Sequence, residues 1–191
     1  MQMADVTALQ LPGALVLKPK RFHDARGFFV EQYNKQTLAA HGVQFECVQD
    51  NLSLSARAGT VRGLHFQSPP SEQTKLVSVL RGAIFDVLVD IRFGAPTYGR
   101  HVVVELSADN GIQALVPRGF AHGYCTLADD TLVQYKVDAH YDPARDLGVL
   151  WNDPDLDIRW PVAAETAILI DKDRKHPRLK ELPRHFVWMG G

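Results

Sequence analysis

Val61-Arg62-Gly63-Leu64-His65-Phe66-Gln67, followed closely by Gln73-Thr74-Lys75-Leu76-Val77, is the stretch around which the chain is organised. A histidine and a lysine stand within one strand-to-strand crossing of each other, inside short runs of β-type residues. Side chains alternate faces along a strand, so Val61, Gly63, His65 and Gln67 share one face and Leu64 and Phe66 the other. A face that sets glycine, histidine and glutamine among apolar neighbours lines a cavity better than it fills a core. The turn Gly119-Phe120-Ala121-His122-Gly123 repeats the theme, its small residues letting a ligand approach the backbone. The pattern places a chemical site inside a β-structure.

Outward from that stretch, strands are expected over residues 75–80, 83–92, 101–106, 112–116, 122–127 and 131–138. Turn signals separate them at Arg81-Gly82, Gly94-Ala95-Pro96, Asp109-Asn110-Gly111 and Asp129-Asp130. Many short, evenly spaced strands call for closure or sheet pairing, and the expected fold is an all-β antiparallel jelly roll with short peripheral helices. Parity gives residues 83–92 a core side of Phe85, Val87, Val89 and Ile91, opposite Asp86 and Asp90, and it aims the Tyr135 phenol inward with Val133 and Val137. Upstream, Leu15-Val16-Leu17 is extended, and Asp24-Ala25-Arg26-Gly27 is a turn delivering an arginine into the strand Phe28-Phe29-Val30-Glu31. Asn34 caps a helix over residues 35–41 that Gly42 stops. Residues 45–51 are extended, residues 53–59 form a polar loop, and the tail from Ala163 carries at most a short helix.

The chain has 191 residues, 46% of them hydrophobic, and no linker-like tract divides it, so one domain spanning 1–191 is expected. Lysines and arginines number 21 against 22 aspartates and glutamates, which argues against a nucleic-acid or anionic-membrane partner and leaves any anionic ligand to a local cluster. Cys47 and Cys125 are too few and too far apart for a disulfide framework or a metal-ligand spacing. No basic-then-apolar leader opens the sequence and no apolar run approaches about 18 residues, so a soluble, cytoplasmic protein is expected.

Taken in order, Asp24-Ala25-Arg26-Gly27-Phe28-Phe29 with Glu31, Gln49-Asp50-Asn51, Arg62-Gly63-Leu64-His65-Phe66-Gln67, Lys75-Leu76-Val77, Gly119-Phe120-Ala121-His122-Gly123, Tyr135-Lys136 and Trp151-Asn152-Asp153 resemble the dTDP-4-dehydrorhamnose 3,5-epimerase family. The likeness runs from about residue 15 to 177. It implies a cofactor-free, cupin-like jelly roll (a double-stranded β-helix), usually a homodimer. It also implies inversion at C3 and C5 of a dTDP-linked 4-keto-6-deoxy sugar, in dTDP-rhamnose biosynthesis. Both carbons flank the C4 ketone, so the chemistry needs a base on one face, an acid on the other and a positive group at the keto oxygen.

By that resemblance His65 matches the base and Tyr135 the acid. Lys75 matches the cation near the enolate oxygen, and Asp173 the carboxylate that orients the histidine. Asp171 is the alternative to Asp173, separated from it only by the spacing to Pro177. Arg26 and Arg62 are assigned to phosphate, since guanidinium forks pair with phosphate oxygens at two points. His65 and Arg62 stand an odd number of residues apart, so strand parity points Arg62 to the opposite face, toward a neighbouring or dimer-related site. Glu31, Gln49, Asn51 and His122 are expected to line the site, with Phe28 or Phe29 offering an apolar surface to the base.

One departure is visible: His140-Tyr141 stands where many family members carry two adjacent aromatics, and Asp138 stands where a threonine is common. Tyr141 is kept among the substrate-binding candidates. A C3-only epimerase and a non-catalytic sugar-nucleotide binding module are the alternatives. A metal-dependent jelly-roll enzyme is disfavoured because the same-face neighbours of His65 are Gly63 and Gln67 rather than a second histidine, so no metal ligands are assigned.

Overall fold

The computed structural model describes residues 4–190. Thirteen strands are found there: β1 (Ala4–Ala8), β2 (Leu15–Pro19), β3 (Arg21–Asp24), β4 (Gly27–Val30), β5 (Gln49–Ser55), β6 (Val61–Gln67), β7 (Lys75–Arg81), β8 (Ala83–Asp90), β9 (His101–Ser107), β10 (Gln113–Val116), β11 (Phe120–Thr126), β12 (Thr131–Val137) and β13 (Asp146–Gly148). Their antiparallel pairing builds a six-stranded sheet, β1-β2-β10-β7-β12-β5, and a five-stranded sheet, β13-β6-β11-β8-β9. This is the cupin-like jelly roll. Helix α1 (Lys35–Ala40) is capped by Asn34, whose side chain accepts from the Gln36 and Thr37 amides, and it buries Leu38 against Leu17 and Leu76. Among the described residues the tail holds a single 3-10 turn, Leu179–Glu181.

The sheets close on a core of Val77, Val79, Ile84, Leu88, Leu106 and Val133, with Phe120 and Tyr124. The core side expected for β8 is reversed: Ile84 and Leu88, and with them Asp86, face the partner sheet. Val87 and Val89 point outward with Leu64 and Phe66, where Leu156 and the tail's Leu179 bury them. The strand is apolar on both faces because both are covered. Each fully buried leucine contributes about 1.5–3 kcal/mol, so the tail is held firmly on the outside of the five-stranded sheet. The loop expected over residues 53–59 begins later, since β5 pairs with β12 as far as Ser55 and backbone bonds take up what its serines lack in apolar character.

The strand β6 departs from simple alternation. It pairs with β11 through His65 opposite His122 and Arg62 opposite Tyr124, so β6 carries one residue more than its partner between those pairs. Gly63, at φ +123°, occupies the bulge, and a Cβ there would stand 2.5 Å from the Gly123 Cα. Consequently Val61 lies outside, against Cys125 and Trp151. Among the described residues no helix is long and apolar enough to cross a membrane.

Candidate active site

At one end of the sandwich the sheets part around a cavity of about 450 Å³. The six-stranded sheet contributes Lys75 from the start of β7 and Tyr135 from β12, while the five-stranded sheet contributes His65 and Arg62 from β6 and His122 from β11. The β6 bulge turns Arg62 to the same side as His65, which corrects the opposite-face reading. Its guanidinium donates to Ser55 Oγ and to the Leu54 carbonyl, both at 3.1 Å, and is thereby fixed to the cavity wall.

Asp173, and not Asp171, meets His65: Oδ1 lies 2.7 Å from Nε2, and Oδ2 accepts from the Gly63 amide at 3.1 Å. The residue is only 1% exposed. Burial alone would push its carboxyl up, but the neighbouring His176 ring, the His65 hydrogen bond and the Gly63 amide hold it well below the usual carboxylate range. An anion is therefore fixed behind the imidazole. Although β6 supplies no second histidine, the tail does: the His176 ring stands edge-on to that of His65, centroids 5.7 Å apart.

Burial pushes the Lys75 ammonium down to about 8, with Asp146 and Asp86 pulling the other way. Burial also raises the Tyr135 phenol, opposed by Arg62 and reinforced by Asp146, so the hydroxyl keeps its proton at neutral pH. His122 forms a second pair with Asp86, 2.7 Å apart and wholly buried on the acid's side. Sequence reading missed Asp86, and also Tyr124, whose hydroxyl donates to Ser53 Oγ at 3.2 Å inside the cavity. The signals were there: a charged residue amid apolar strand neighbours, and a tyrosine two residues past His122 on one face of β11.

The remaining candidates sit around the rim or elsewhere. Gln49 donates to Asn51 Oδ1 and accepts from the Tyr141 amide, while Asn51 donates to the Tyr135 carbonyl. These two brace the backbone beside Tyr135 rather than lining the cavity. The exposed Tyr141 donates to Asp146 Oδ2 at 3.0 Å, an oxygen also bound by Lys172. Asp138 accepts from the Thr74 amide and pairs with Arg118, giving that departure a structural role.

Arg26, Phe29 and Glu31 are not brought to this cavity. Strands β3 and β4 pair only with each other, Arg26 is held by Asp24 at 2.6 Å, and Phe28 and Phe29 are 53% and 69% exposed. The expectation that these residues line the site beside His65 therefore does not hold within one chain, because the hairpin stands apart from both sheets.

Chemically, an imidazole oriented by an anion and a protonated phenol enter one cavity from opposite sheets, and an ammonium lines the same cavity. A ligand lying between the sheets exposes one face to each group, the requirement for removing a proton from one side and returning it to the other.

A family model described as dTDP-4-dehydrorhamnose 3,5-epimerase matches residues 8–181. The dTDP-4-dehydrorhamnose 3,5-epimerase of Sinorhizobium fredii is 47% identical over 182 residues, 95% of this chain and 93% of the relative. The crystal structure of the enzyme of that name from Bacillus anthracis, with TDP and PPi bound, is 52% identical, with a TM-score of 0.89 over 92% of this chain and 99% of that one. That of the dTDP-6-deoxy-D-glucose-3,5-epimerase from Legionella pneumophila, in complex with dTDP-4-keto-L-rhamnose, is 37% identical, with a TM-score of 0.92 over 98% and 100%.

Proposed function

The chain belongs to the dTDP-4-dehydrorhamnose 3,5-epimerase family, and from that premise we propose how its cavity performs the reaction. The enzyme is an isomerase that converts dTDP-4-dehydro-6-deoxy-D-glucose to dTDP-4-dehydro-L-rhamnose, a step of dTDP-rhamnose biosynthesis. The observation that carries the assignment of roles is that His65 and Tyr135 enter one cavity from opposite sheets.

Asp173 engages Nε2 of His65, leaving Nδ1 to take the proton from C3 or C5. The electron pair of the broken C–H bond delocalises onto the C4 oxygen, where the Lys75 ammonium stabilises the enolate in a low-dielectric setting. Tyr135 then donates its proton to the opposite face of the same carbon. Imidazolium and phenolate exchange protons with solvent before the second centre reacts. General acid–base catalysis of this kind contributes about 10²–10⁴-fold.

Arg62 takes the diphosphate. Arg26, Phe29 and Glu31 are assigned to the cavity of a second copy in a homodimer, a role for which a detached hairpin with two exposed phenylalanines is suited. Residues 1–191 act as one domain, working in the cytoplasm on a freely diffusing nucleotide sugar.

The test is incubation with the 4-keto-6-deoxy substrate in heavy water, followed by NMR. Deuterium and inversion at both carbons are expected. Label confined to C3 would make the enzyme a 3-epimerase, and tight binding without label would reduce the chain to a binding module.

A further inference from the structure

Asp173 is approached by a second imidazole for which the proposed mechanism has no use. His176 is 9% exposed, and its Nε2 stands 3.7 Å from Asp173 Oδ1, beyond hydrogen-bond range. Among the described residues that nitrogen has no hydrogen-bond partner. Buried polar atoms are rarely left so. The backbone makes room for the ring: a Cβ at Gly148 would lie 2.5 Å from His176 Nε2.

The ligating atoms of His65, Asp173 and His176 lie within 4.8 Å of one another. Two imidazole nitrogens and one carboxylate oxygen form the donor set of open zinc sites, with bonds of about 2.0–2.2 Å and ligand atoms about 3.3 Å apart. The 2.7 Å contact of His65 with Asp173 and the 3.7 Å contact of His176 with Asp173 bracket that spacing. His65, 30% exposed, opens the fourth position to the cavity.

We propose that His65, Asp173 and His176 form an inhibitory site for a divalent transition-metal ion of the zinc type. The ion enters between Asp173 and the two Nε2 atoms, and the proton shared by His65 Nε2 and Asp173 moves to His65 Nδ1. His176 likewise carries its proton on Nδ1, and a water from the cavity completes the coordination. With Nδ1 protonated, His65 accepts nothing from the sugar, so metal occupancy and base function exclude each other. The binding itself stands on the three side chains alone; only its inhibitory consequence rests on the reading of His65 as base.

The experiment titrates chelator-stripped wild-type enzyme with Co²⁺. It follows the visible absorption of a tetrahedral complex and, on the same samples, deuterium exchange into the sugar. One ion per chain is expected, with exchange lost in proportion to occupancy and restored by chelator. His176→Ala and the polar His176→Asn, each compared with its own metal-free rate, should weaken binding and inhibition at least tenfold. A Zn²⁺-induced rise in melting temperature should be seen in the wild type and lost in both variants. No absorption band in an actively exchanging enzyme, or a band of undiminished affinity in both variants, overturns the site. A saturated band with exchange intact leaves the site standing and removes His65 as the base.

Discussion

Replacing Lys75 by methionine separates the cost of the cation from its use. The ammonium is lowered from its ordinary 10.5 to about 8, chiefly by burial. At about 1.4 kcal/mol per pH unit, the folded protein bears about 3 kcal/mol against the charged form. The attraction of Asp146 and Asp86 is already contained in that value, and contact of Lys75 with cavity water screens part of the cost, so a net stabilisation of about 2 kcal/mol is expected at pH 7. For a chain of this size that is roughly 4–8 °C in melting temperature.

The sign follows from linkage. Below the folded value near 8 the lysine is charged in both states and the penalty is complete. Between about 8 and 10.5 the folded protein has shed the proton while the unfolded chain keeps it, so the penalty shrinks. The advantage of Lys75→Met should therefore be largest at pH 7 and fade toward pH 10.5, in melting curves or urea titrations of the two proteins. Turnover should fall at least about a hundredfold, the usual consequence of removing one oxyanion-stabilising group. A variant no more stable than wild type at pH 7, or one whose advantage is the same at pH 10, would refute the claim that burial sets this lysine's state.

Asp173→Asn preserves shape but replaces the anion behind His65, and kcat for deuterium exchange should drop about 10²–10⁴-fold with KM little changed; an unaltered kcat would detach Asp173 from the base. Tyr135→Phe should still wash deuterium in from the His65 side while inversion falls by a similar factor, a split that NMR reads directly, and full-speed inversion would assign the acid elsewhere. Gly63→Ala sets a methyl 2.5 Å from the Gly123 Cα and 2.8 Å from the His122 carbonyl oxygen, in a backbone that cannot retreat. A loss of more than about 3 kcal/mol, or no soluble protein, is expected, and a wild-type melting curve would show that the bulge can relax.

The elements legible in the sequence were those set by local chemistry. Asn34 before a helix and the Gly and Asp turn signals act within a few residues, and the inward aim of Tyr135 needs only the period of a strand. The face of Arg62 was misread because the bulge at Gly63 is a property of the pair β6·β11, invisible in either strand alone. The core side of β8 was misread for a related reason: a strand covered on both faces has no polar side to betray its orientation, and Asp86 was buried by pairing with His122 rather than exposed. Choosing Asp173 over Asp171, and finding His176 beside it, needed the tail's path across the five-stranded sheet. The destination of the hairpin bearing Arg26 and Phe29 is a question between molecules, which local pattern does not address.

His65 and Asp173 are joined by one hydrogen bond across 108 positions of chain. On a ribosome adding about 5–20 residues per second, the base precedes its carboxylate by roughly 5–20 s. Throughout that interval the nascent chain carries an imidazole with no anion behind it. Competence thus arrives only once the segment bearing Asp173 has been made and has wrapped the outside of the sheet. Turnover in this enzyme certifies that the segment bearing Asp173 has been made and has closed on β6.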